Sequence, residues 1–564
     1  MERGTKLLLC SAVLVISVFV FAPVSSLFAQ EPIHKVLNPQ GYMGEVKLAP
    51  LTPRPTDLNN KVVYLITPKQ EGSHIEVGLE KVGEALKKRF PNVKIVNKYK
   101  PSPYPTDDPE LWDEMVKNAH AFVYGAAPSA TSTFWGFTWA AVLERKGLPG
   151  AVLMYEKLVP TAKMSCELRG VPVRWVTVSY PPQAMPEEQM AVAVGNVIKA
   201  LTEPLNDNEK KTGVYKPPKP PRYAMEGTYS QVQEYFYKQG WTDGLPIGSP
   251  TEEKVKEMLR GTKHAPDEIV ATTVFPELWT ATVEKVAING VMAGCKPEYM
   301  PVLLATLEAW AKGEFTNIRS TDSFSYMQVV NGPIRKELDM NAGTYALGPG
   351  NHANATIGRA LRLFIINLGG GQPGFNLMGT MGNPTGYTFC FPENEESSPW
   401  APLSVDLGFK PGESTVTIFC DGRSFVGNYL EGSVDRLIKG IGHFEWPRGL
   451  VLLLAPPAAK LYADKGMSKK DLKEYIWKNT TITLKDFKSD YHYTWFIEPI
   501  LKGKAMYGEK YTWPPEYLKL SDDAMVQPYP RQHVHVVVVG GEANPQIHAW
   551  KFYMPSIVSV DKWR

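Results

Sequence analysis

A run of small and amide residues leads straight into a predicted helix in the stretch LGPGNHANATIGRALRLFIINLGGG at 347–371. Glycine and asparagine permit the backbone angles of a tight ligand-binding loop. The loop N–H groups, the amides of Asn351 and Asn354 and the Arg359 guanidinium would together bind a carboxylate or phosphate. His352 stands at the mouth, where a general acid or base is useful. The alternative is an ordinary helix N-cap followed by a salt-bridging arginine.

Two further groups that can move a proton or attack carbon lie in the apolar stretch at 280–300. Glu284 is a charged residue inside an otherwise apolar predicted helix, which raises the question of a buried carboxylate. Cys295 precedes Lys296 and a second helix start, both of which lower a thiol pKa. In the enzyme interpretation Glu284 or His352 transfers a proton and Cys295 is nucleophile or bystander. In the plain interpretation Cys295 is a small buried or disulfide-bonded residue.

Polar residues in the phrases VVNGPIR and CFPENEESSPW follow predicted strands, and sites are usually built at such element ends. We assign Asn331 and Arg335 to substrate binding. Three glutamates crowd the stretch at 390–400 and can bind a hard cation or hold one acid of raised pKa. Because charge runs usually face water, we expect a solvated loop there. His533 and His535 alternate on a strand but make only two ligands, so no metal site is predicted.

The loop GAAPSATSTFWGF at 125–137 follows the third predicted strand of the N-terminal half. Ser129 and Thr131 offer hydroxyls beside the start of the next helix, whose N-terminus favours an anion. In a doubly wound sheet, ligands bind at the carboxyl ends of the strands near the switch point. The loop after the first strand, 68–74, would lie nearby and bring His74. The alternative is a plain turn with a Ser/Thr cap and a surface histidine.

Short apolar runs alternate with helical stretches around that loop. Strands are predicted at 62–67, 93–97, 121–125, 151–155 and 173–178, and helices at 76–90, 109–118, 134–146 and 187–202. Apolar strands separated by helices indicate a parallel sheet that is covered on both faces. The size suits a flavodoxin-like doubly wound α/β domain, which we place at 59–205 after an extended N-terminal arm at 30–58.

A proline-rich segment separates this domain from the rest of the chain. The stretch TGVYKPPKPPR at 212–222 holds four prolines and favours an extended segment, so we place a linker at 206–227. From 228 to 564 the pattern is longer and mixed, which predicts one large α/β (α+β) domain. Its helices are predicted at 229–239, 251–260, 280–293, 297–312, 354–368 and 468–479, and its strands at 270–275, 327–330, 415–419, 449–455 and 535–540.

The phrase AFVYGAAPSATSTFWGFTWAAVLERKGLPGAVLMYE, the run RGVPVRWVTVSYP and the strand order make the N-terminal domain resemble the UGSC-type (seleno)protein family. That family is named for a selenocysteine-Gly-Ser-Cys motif in the loop after the third strand. The corresponding stretch here, 127–130, reads Ala-Pro-Ser-Ala, so the resemblance implies a degenerate or purely binding copy. Phrases such as GWTDGLPIGSPTEEKV and NHANATIGRALRL make the C-terminal domain similar to uncharacterised regions found with that family.

The first residues have the pattern of an export signal. Arg3 and Lys6 precede an uncharged run at 7–22, and small residues follow up to Ala29. These features predict a secretory signal peptide at 1–29 and a periplasmic or secreted protein. An uncleaved anchor is the alternative, but the apolar run is shorter than the ~20 residues that span a bilayer. We therefore expect no stable membrane span after cleavage.

Composition limits the classes of molecule that the protein is expected to bind. A formal net charge of +3 over 564 residues gives no electrostatic footprint for nucleic acid. Outside the cytosol, four cysteines can form two disulfides in three connectivities, and the mature chain keeps Cys166, Cys295, Cys390 and Cys420. The sequence leaves open whether the protein forms a homo-oligomer and whether it binds a cofactor.

We therefore expect an exported enzyme that performs redox or carbon–heteroatom bond chemistry on a small anionic organic substrate. It would be an oxidoreductase or a lyase, with its site mainly in the C-terminal domain. The alternative is a non-catalytic periplasmic ligand-binding or accessory protein that carries a degenerate redox domain.

Overall fold

The structure is a computed structural model of the chain. It describes residues 31–68, 74–313, 315–422, 425–429, 433–441, 449–490, 493–503 and 512–564. The signal peptide predicted at 1–29 and most of the loop at 68–74 lie outside these residues. Within the described part, no helix combines the length and the apolar character needed to cross a lipid bilayer.

The N-terminal domain is a parallel sheet with helices on both faces. Two arm strands come first, β1 (His34–Leu37) and β2 (Val46–Leu48). The sheet strands are β3 (Val62–Pro68), β4 (Lys94–Lys100), β5 (Ala121–Gly125), β6 (Gly150–Tyr155) and β7 (Arg174–Val178). The helices are α1 (Ile75–Arg89), α2 (Pro109–Asn118), α3 (Ala130–Arg145), α4 (Val159–Arg169) and α5 (Glu187–Thr202).

The order of these strands is the one expected for a flavodoxin-like domain. The sheet runs β4-β3-β5-β6-β7, and each described neighbour pair is parallel. Successive strand residues point to opposite faces: Leu65 and Val123 pack with α1 and α5, whereas Tyr64 and Phe122 pack with α2 and α3. The predicted α/β fold is confirmed. The loop between β5 and α3 stands at the switch point of the sheet.

The arm and the predicted linker pair with one another. Strand β8 (Gly213–Tyr215) lies antiparallel to β2, and β9 (Tyr223–Gly227) lies antiparallel to β1. Val36 and Leu37 of β1 are fully buried in the core of the C-terminal domain. The first described strand therefore belongs, by packing, to the domain that is most distant from it in sequence.

The helices and strands predicted for the C-terminal domain are present, and further elements that were not predicted lie between them. Its first half contains α6 (Tyr229–Lys238), α7 (Glu252–Leu259), β10 (Ile269–Val274), β11 (Trp279–Thr282), α8 (Val283–Ala293), α9 (Met300–Lys312), β12 (Ser325–Asn331), α10 (Ile334–Glu337), α11 (His352–Asn367) and β13 (Cys390–Pro392). Its second half contains α12 (Leu403–Asp406), β14 (Thr415–Gly422), β15 (Phe425–Tyr429), α13 (Val434–Ile441), β16 (Leu450–Leu454), α14 (Pro456–Ala463), α15 (Lys469–Asn479), β17 (Ile482–Thr483), α16 (Leu484–Ser489), α17 (Glu498–Leu501), β18 (Met525–Val526), β19 (Val534–Val538), β20 (Ile547–Trp550) and β21 (Tyr553–Ser559).

Two mixed sheets face each other inside this domain. The first has the order β13-β12-β14-β21 and the second β15-β20-β16-β19. Side chains such as Met327, Phe391 and Leu453 fill the space between them. Helices α8, α9 and α11 cover the outer face of the first sheet, and α13, α14 and α15 cover that of the second. The result is a helix–sheet–sheet–helix arrangement.

Candidate functional site

The asparagines at the start of α11 are used to build the loop that precedes the helix. Asn351 caps α11: its Oδ1 accepts the Asn354 N–H at 2.9 Å, and its Nδ2 donates to Asp339 O at 2.8 Å. Asn354 is buried and donates to Asn341 O at 2.9 Å and Ala346 O at 3.2 Å. Both amides therefore hold the loop in shape rather than face a ligand.

Arg359 does not have the anion-binding role that its spacing suggests. Its guanidinium donates to both carboxylate oxygens of Asp243, at 2.8 and 2.9 Å. It also donates to the carbonyls of Leu245 at 3.3 Å and Pro246 at 2.8 Å. The predicted role is corrected because Asp243, which comes from 116 residues earlier in the chain, already occupies the fork of the guanidinium.

His352 and Cys295 lie near the same helix start. His352 is exposed, and its Nδ1 is 3.3 Å from the hydroxyl of Tyr299. The Cys295 Sγ donates to Thr356 O at 3.4 Å. Burial raises the pKa of the Cys295 thiol to about 12, so the thiol is protonated at neutral pH. Within the described residues, Cys166, Cys295, Cys390 and Cys420 form no disulfide with one another.

The Glu284 carboxylate pairs with an arginine of the predicted linker. Its Oε1 accepts a hydrogen bond from Arg222 at 2.7 Å, and Arg222 stands at the end of the predicted linker. The carboxylate thus joins α8 to the segment before β9. The Arg222 guanidinium balances the charge of the Glu284 carboxylate. The structure does not bring Glu284 to His352 or Cys295.

Asn331 and Arg335 do come together, around the glutamates of the 390–400 stretch. Asn331 donates to Glu393 Oε2 at 2.7 Å and to Glu395 Oε1 at 3.0 Å. Arg335 donates to the Glu393 carbonyl at 2.7 Å and to both oxygens of Glu396 at 3.1 Å. The expected solvated acidic loop is therefore wrong for Glu393, which is fully buried, whereas Glu396 stays half-exposed.

Glu393 lies at the edge of the space between the two sheets. Burial raises the pKa of its carboxyl, although the Lys469 ammonium 3.7 Å away acts in the opposite sense. His535 faces the same space, and burial holds its pKa well below the ordinary value, so its ring is neutral. Among the residues that the structure describes, no three His, Cys, Asp or Glu side chains converge as a metal site would require.

A cavity of about 600 Å³ opens beside the middle of α11. Clefts of this size hold small organic molecules. Its walls are Arg362 of α11, the Asp243 loop, the start of β12 and the glycine-rich segment at 373–387. The Tyr326 hydroxyl donates to Gly386 O at 3.1 Å and so ties β12 to that segment.

Arg362 is the residue that sequence reasoning missed. It is half-buried in the cavity wall, and no described residue forms a hydrogen bond or an ion pair with its guanidinium. Ser325 Oγ, in the same wall, is buried and has no hydrogen-bond partner in the described part of the chain. The sequence did contain a pattern that indicates this residue. Residues three apart lie on the same face of a helix, so Arg362 is expected beside Arg359.

At the start of α3, the hydroxyls of the two predicted site residues differ in their hydrogen bonding. Ser129 caps the helix, with its Oγ accepting the Ser132 N–H at 3.1 Å. Thr131 is buried, and its Oγ1 has no hydrogen-bond partner among the described residues. His74 Nδ1 lies 3.1 Å from Gln183 Nε2, away from both.

A family model described as the UGSC family matches residues 35–207. This match covers the N-terminal domain with its arm and confirms the resemblance of that domain. Among curated proteins, none matches the chain.

Proposed function

Proceeding from an N-terminal domain that matches the UGSC family model, we propose that the protein is a small-molecule enzyme with its site in the C-terminal domain. Its substrate is an organic molecule with a carboxylate or phosphate group, which binds in the cavity beside α11. The observation that carries the proposal is the Arg362 guanidinium in the wall of that cavity, which pairs with no residue that the structure describes. A half-buried arginine without a carboxylate is a ready partner for an anion, because its fork matches carboxylate and phosphate geometry.

The neighbours of Arg362 supply the remaining polar groups. Ser325 presents a hydroxyl with no partner among the described residues, and Asp243 presents a carboxylate that Arg359 fixes in place. An anchored anion beside a fixed carboxylate is the arrangement for proton transfer next to the bound group. This favours the carbon–heteroatom, lyase-type branch of the proposal.

Redox chemistry has less support than lyase-type chemistry. Burial raises the pKa of Cys166, like that of Cys295, to about 12, so neither thiol is ionised at neutral pH. The 127–130 stretch holds no cysteine. These observations favour a second candidate function, a non-catalytic periplasmic ligand-binding or accessory protein with a degenerate redox domain.

Binding is tested with benzoate and benzamide, which share a ring and differ in charge. Saturation-transfer NMR on the wild-type protein should show tighter binding of benzoate. Arg362→Met should weaken benzoate about tenfold or more, the usual cost of losing a charged hydrogen bond, and leave benzamide unchanged. Arg260→Met, at the exposed end of α7, is the matched control. Equal binding of both probes, or unchanged benzoate affinity in Arg362→Met, would contradict the proposal.

Turnover decides between the two functions. The protein is incubated with a mixture of small carboxylic acids and phosphate esters, and mass spectrometry follows each mass. Loss of one compound with gain of a product, abolished by Arg362→Met, supports the enzyme. Arg362-dependent binding without any mass change favours the binding protein.

Export is part of the same proposal. The signal peptide at 1–29 predicts that the protein recovered from the cell envelope or medium begins at Gln30. Amino-terminal sequencing of that fraction measures it. A mature chain that still begins at Met1 would overturn export by cleavage.

A further inference from the structure

Arg319 places a guanidinium where the two domains meet, beyond the cavity of Arg362. It ends the short helical turn Thr316–Arg319 and is 1% exposed. Its Nε, Nη1 and Nη2 donate no hydrogen bond to any described residue. Glu277 Oε2 lies 3.4 Å from Nη2, which is an ion pair without a hydrogen bond, and Asn376 donates to the other Glu277 oxygen.

A second arginine approaches the same ring of the N-terminal domain. The Arg319 Cζ is 3.9 Å from the centroid of Phe134 in α3, and the Arg169 Cζ is 5.0 Å from it. Arg169 donates from Nε to Thr138 Oγ1 at 3.1 Å. Burial, together with the charges of Arg319 and Arg145, lowers the pKa of Arg169 to about 10. Two guanidiniums thus lie against one ring, and Glu277 pairs with that of Arg319.

The first turn of α3 completes the cluster. Thr131 stands one turn before Phe134 and therefore on the same face of the helix. Its Oγ1 is buried and has no hydrogen-bond partner in the described part of the chain. The helix begins at Ala130, and Ser129 accepts the N–H groups of Ser132 and Thr133 in this turn, with its Oγ and its carbonyl. The helix dipole favours negative charge at this end.

Leaving these groups unpaired is costly. Each buried donor without an acceptor costs about 1–3 kcal/mol, and charged donors cost more. Folded proteins pair nearly all such groups with protein, water or ligand. Glu277 satisfies part of the charge of Arg319 but none of its hydrogen-bond directions.

We propose that an oxyanion, a phosphate or a carboxylate group, binds between Arg319, Arg169 and Thr131 at the start of α3. Its oxygens accept hydrogen bonds from the guanidiniums and from the threonine hydroxyl. Because Arg319 comes from the C-terminal domain and the other two residues from the N-terminal domain, the bound anion holds the domains together. This site is separate from the Arg362 cavity and does not depend on the function proposed for it.

The probes are inorganic phosphate and acetate, and the readouts are the thermal midpoint and the Kd by calorimetry. At least one probe should bind the wild-type protein and raise its midpoint. Arg362→Met should keep that binding, which separates this site from the cavity beside α11. Arg169→Met should weaken it about tenfold or more, because a charged donor is lost. The probe that binds identifies which oxyanion fits.

Thr131→Val is the sharper variant, since it exchanges an unpartnered buried hydroxyl for a methyl of equal size. We expect its midpoint without ligand to be equal to or above that of the wild type, and its Kd to rise about threefold to tenfold. A structural role alone would not move affinity in this way. The proposal is overturned if neither probe binds, or if the probe binds Thr131→Val and Arg169→Met as tightly as the wild type.

Discussion

A carboxyl group that is enclosed between two sheets either keeps its proton or needs a cation nearby. Glu393 has an ammonium 3.7 Å away, but desolvation is the larger effect and raises its pKa. Three residues later the balance of effects on the carboxyl pKa reverses. Glu396 is half-exposed, and hydrogen bonds from Arg335 lower its pKa to about 2. Neighbouring glutamates therefore differ because of what surrounds each one.

The contrast predicts opposite pH dependences for two substitutions. In Glu393→Gln, the midpoint relative to wild type should rise as pH increases from about 4 to 8. Below the unfolded-state pKa of glutamate, the protonated Glu393 and the substituted glutamine are both neutral. Above that pKa, the carboxyl ionises first in the unfolded wild-type protein. This ionisation stabilises the unfolded state, so wild-type stability falls. Thermal unfolding across this pH range measures the difference.

Glu396→Gln is the matched comparison. Its wild-type carboxylate stabilises the fold above the ordinary glutamate pKa, and this contribution is lost as pH falls toward 2. The variant should therefore be less stable than wild type at pH 7, and the gap should close in acid. A pH-independent gap for either variant would contradict the assigned pKa direction.

At the scale of elements, α11 is held in place by groups from distant segments. Arg359 joins its second turn to the 243–246 loop, and Asn367 at its end donates to Trp241 O at 3.0 Å and Asn289 Oδ1 at 2.8 Å. The anchored helix then presents Arg362 to the cavity. The position of the anion-binding group depends on contacts at both ends of the helix.

Asp243→Asn tests this anchoring. Removing one partner of a buried ion pair costs about 3–5 kcal/mol, and because Arg359 keeps some exposure we expect about 3 kcal/mol. Urea unfolding measures it. The control is Asp464→Asn, which breaks the exposed pair with Lys460 and should cost less than about 1 kcal/mol. Equal losses in the two variants would show that Arg359 is not a specific anchor.

At the scale of the whole molecule, the N-terminal arm pairs with the segment that links the two domains. Strand β1 pairs with β9 and buries Val36 and Leu37 in the C-terminal core, whereas β2 pairs with β8. The arm and the proline-rich segment thus form antiparallel ribbons between the domains. The sequence order arm, domain, linker, domain does not match the packing order.

Leu37→Ala should therefore destabilise the C-terminal domain although it lies before the N-terminal one. Loss of a fully buried leucine costs about 2–5 kcal/mol. Tryptophan fluorescence and far-UV circular dichroism during urea unfolding measure the change. Ile33→Ala, four residues earlier and exposed, should stay within about 0.5 kcal/mol of wild type. A neutral Leu37→Ala would contradict the packing of the arm.

Hydrophobic period and turn residues were enough to locate the strands of the N-terminal sheet and its flavodoxin-like class. They also located fewer than half of the C-terminal elements, including the helix at 354–368. These features depend on residues a few positions apart. The helix that contains Ser129 as its cap begins four residues earlier than predicted, at Ala130, since the cap and not the apolar pattern sets its start. Asn331 and Arg335 were assigned to one site and do meet, around glutamates that were expected in water.

Spacing could not show which arginine lacks a partner in the described part of the chain. Arg359 and Arg362 share a face of one helix, and only folding brings Asp243 to the first and a cavity to the second. The burial of Glu393 and the meeting of Arg319 with α3 likewise join segments that lie far apart in the chain. Local patterns specify backbone conformation, whereas charge pairing and desolvation depend on neighbours that only the folded chain supplies.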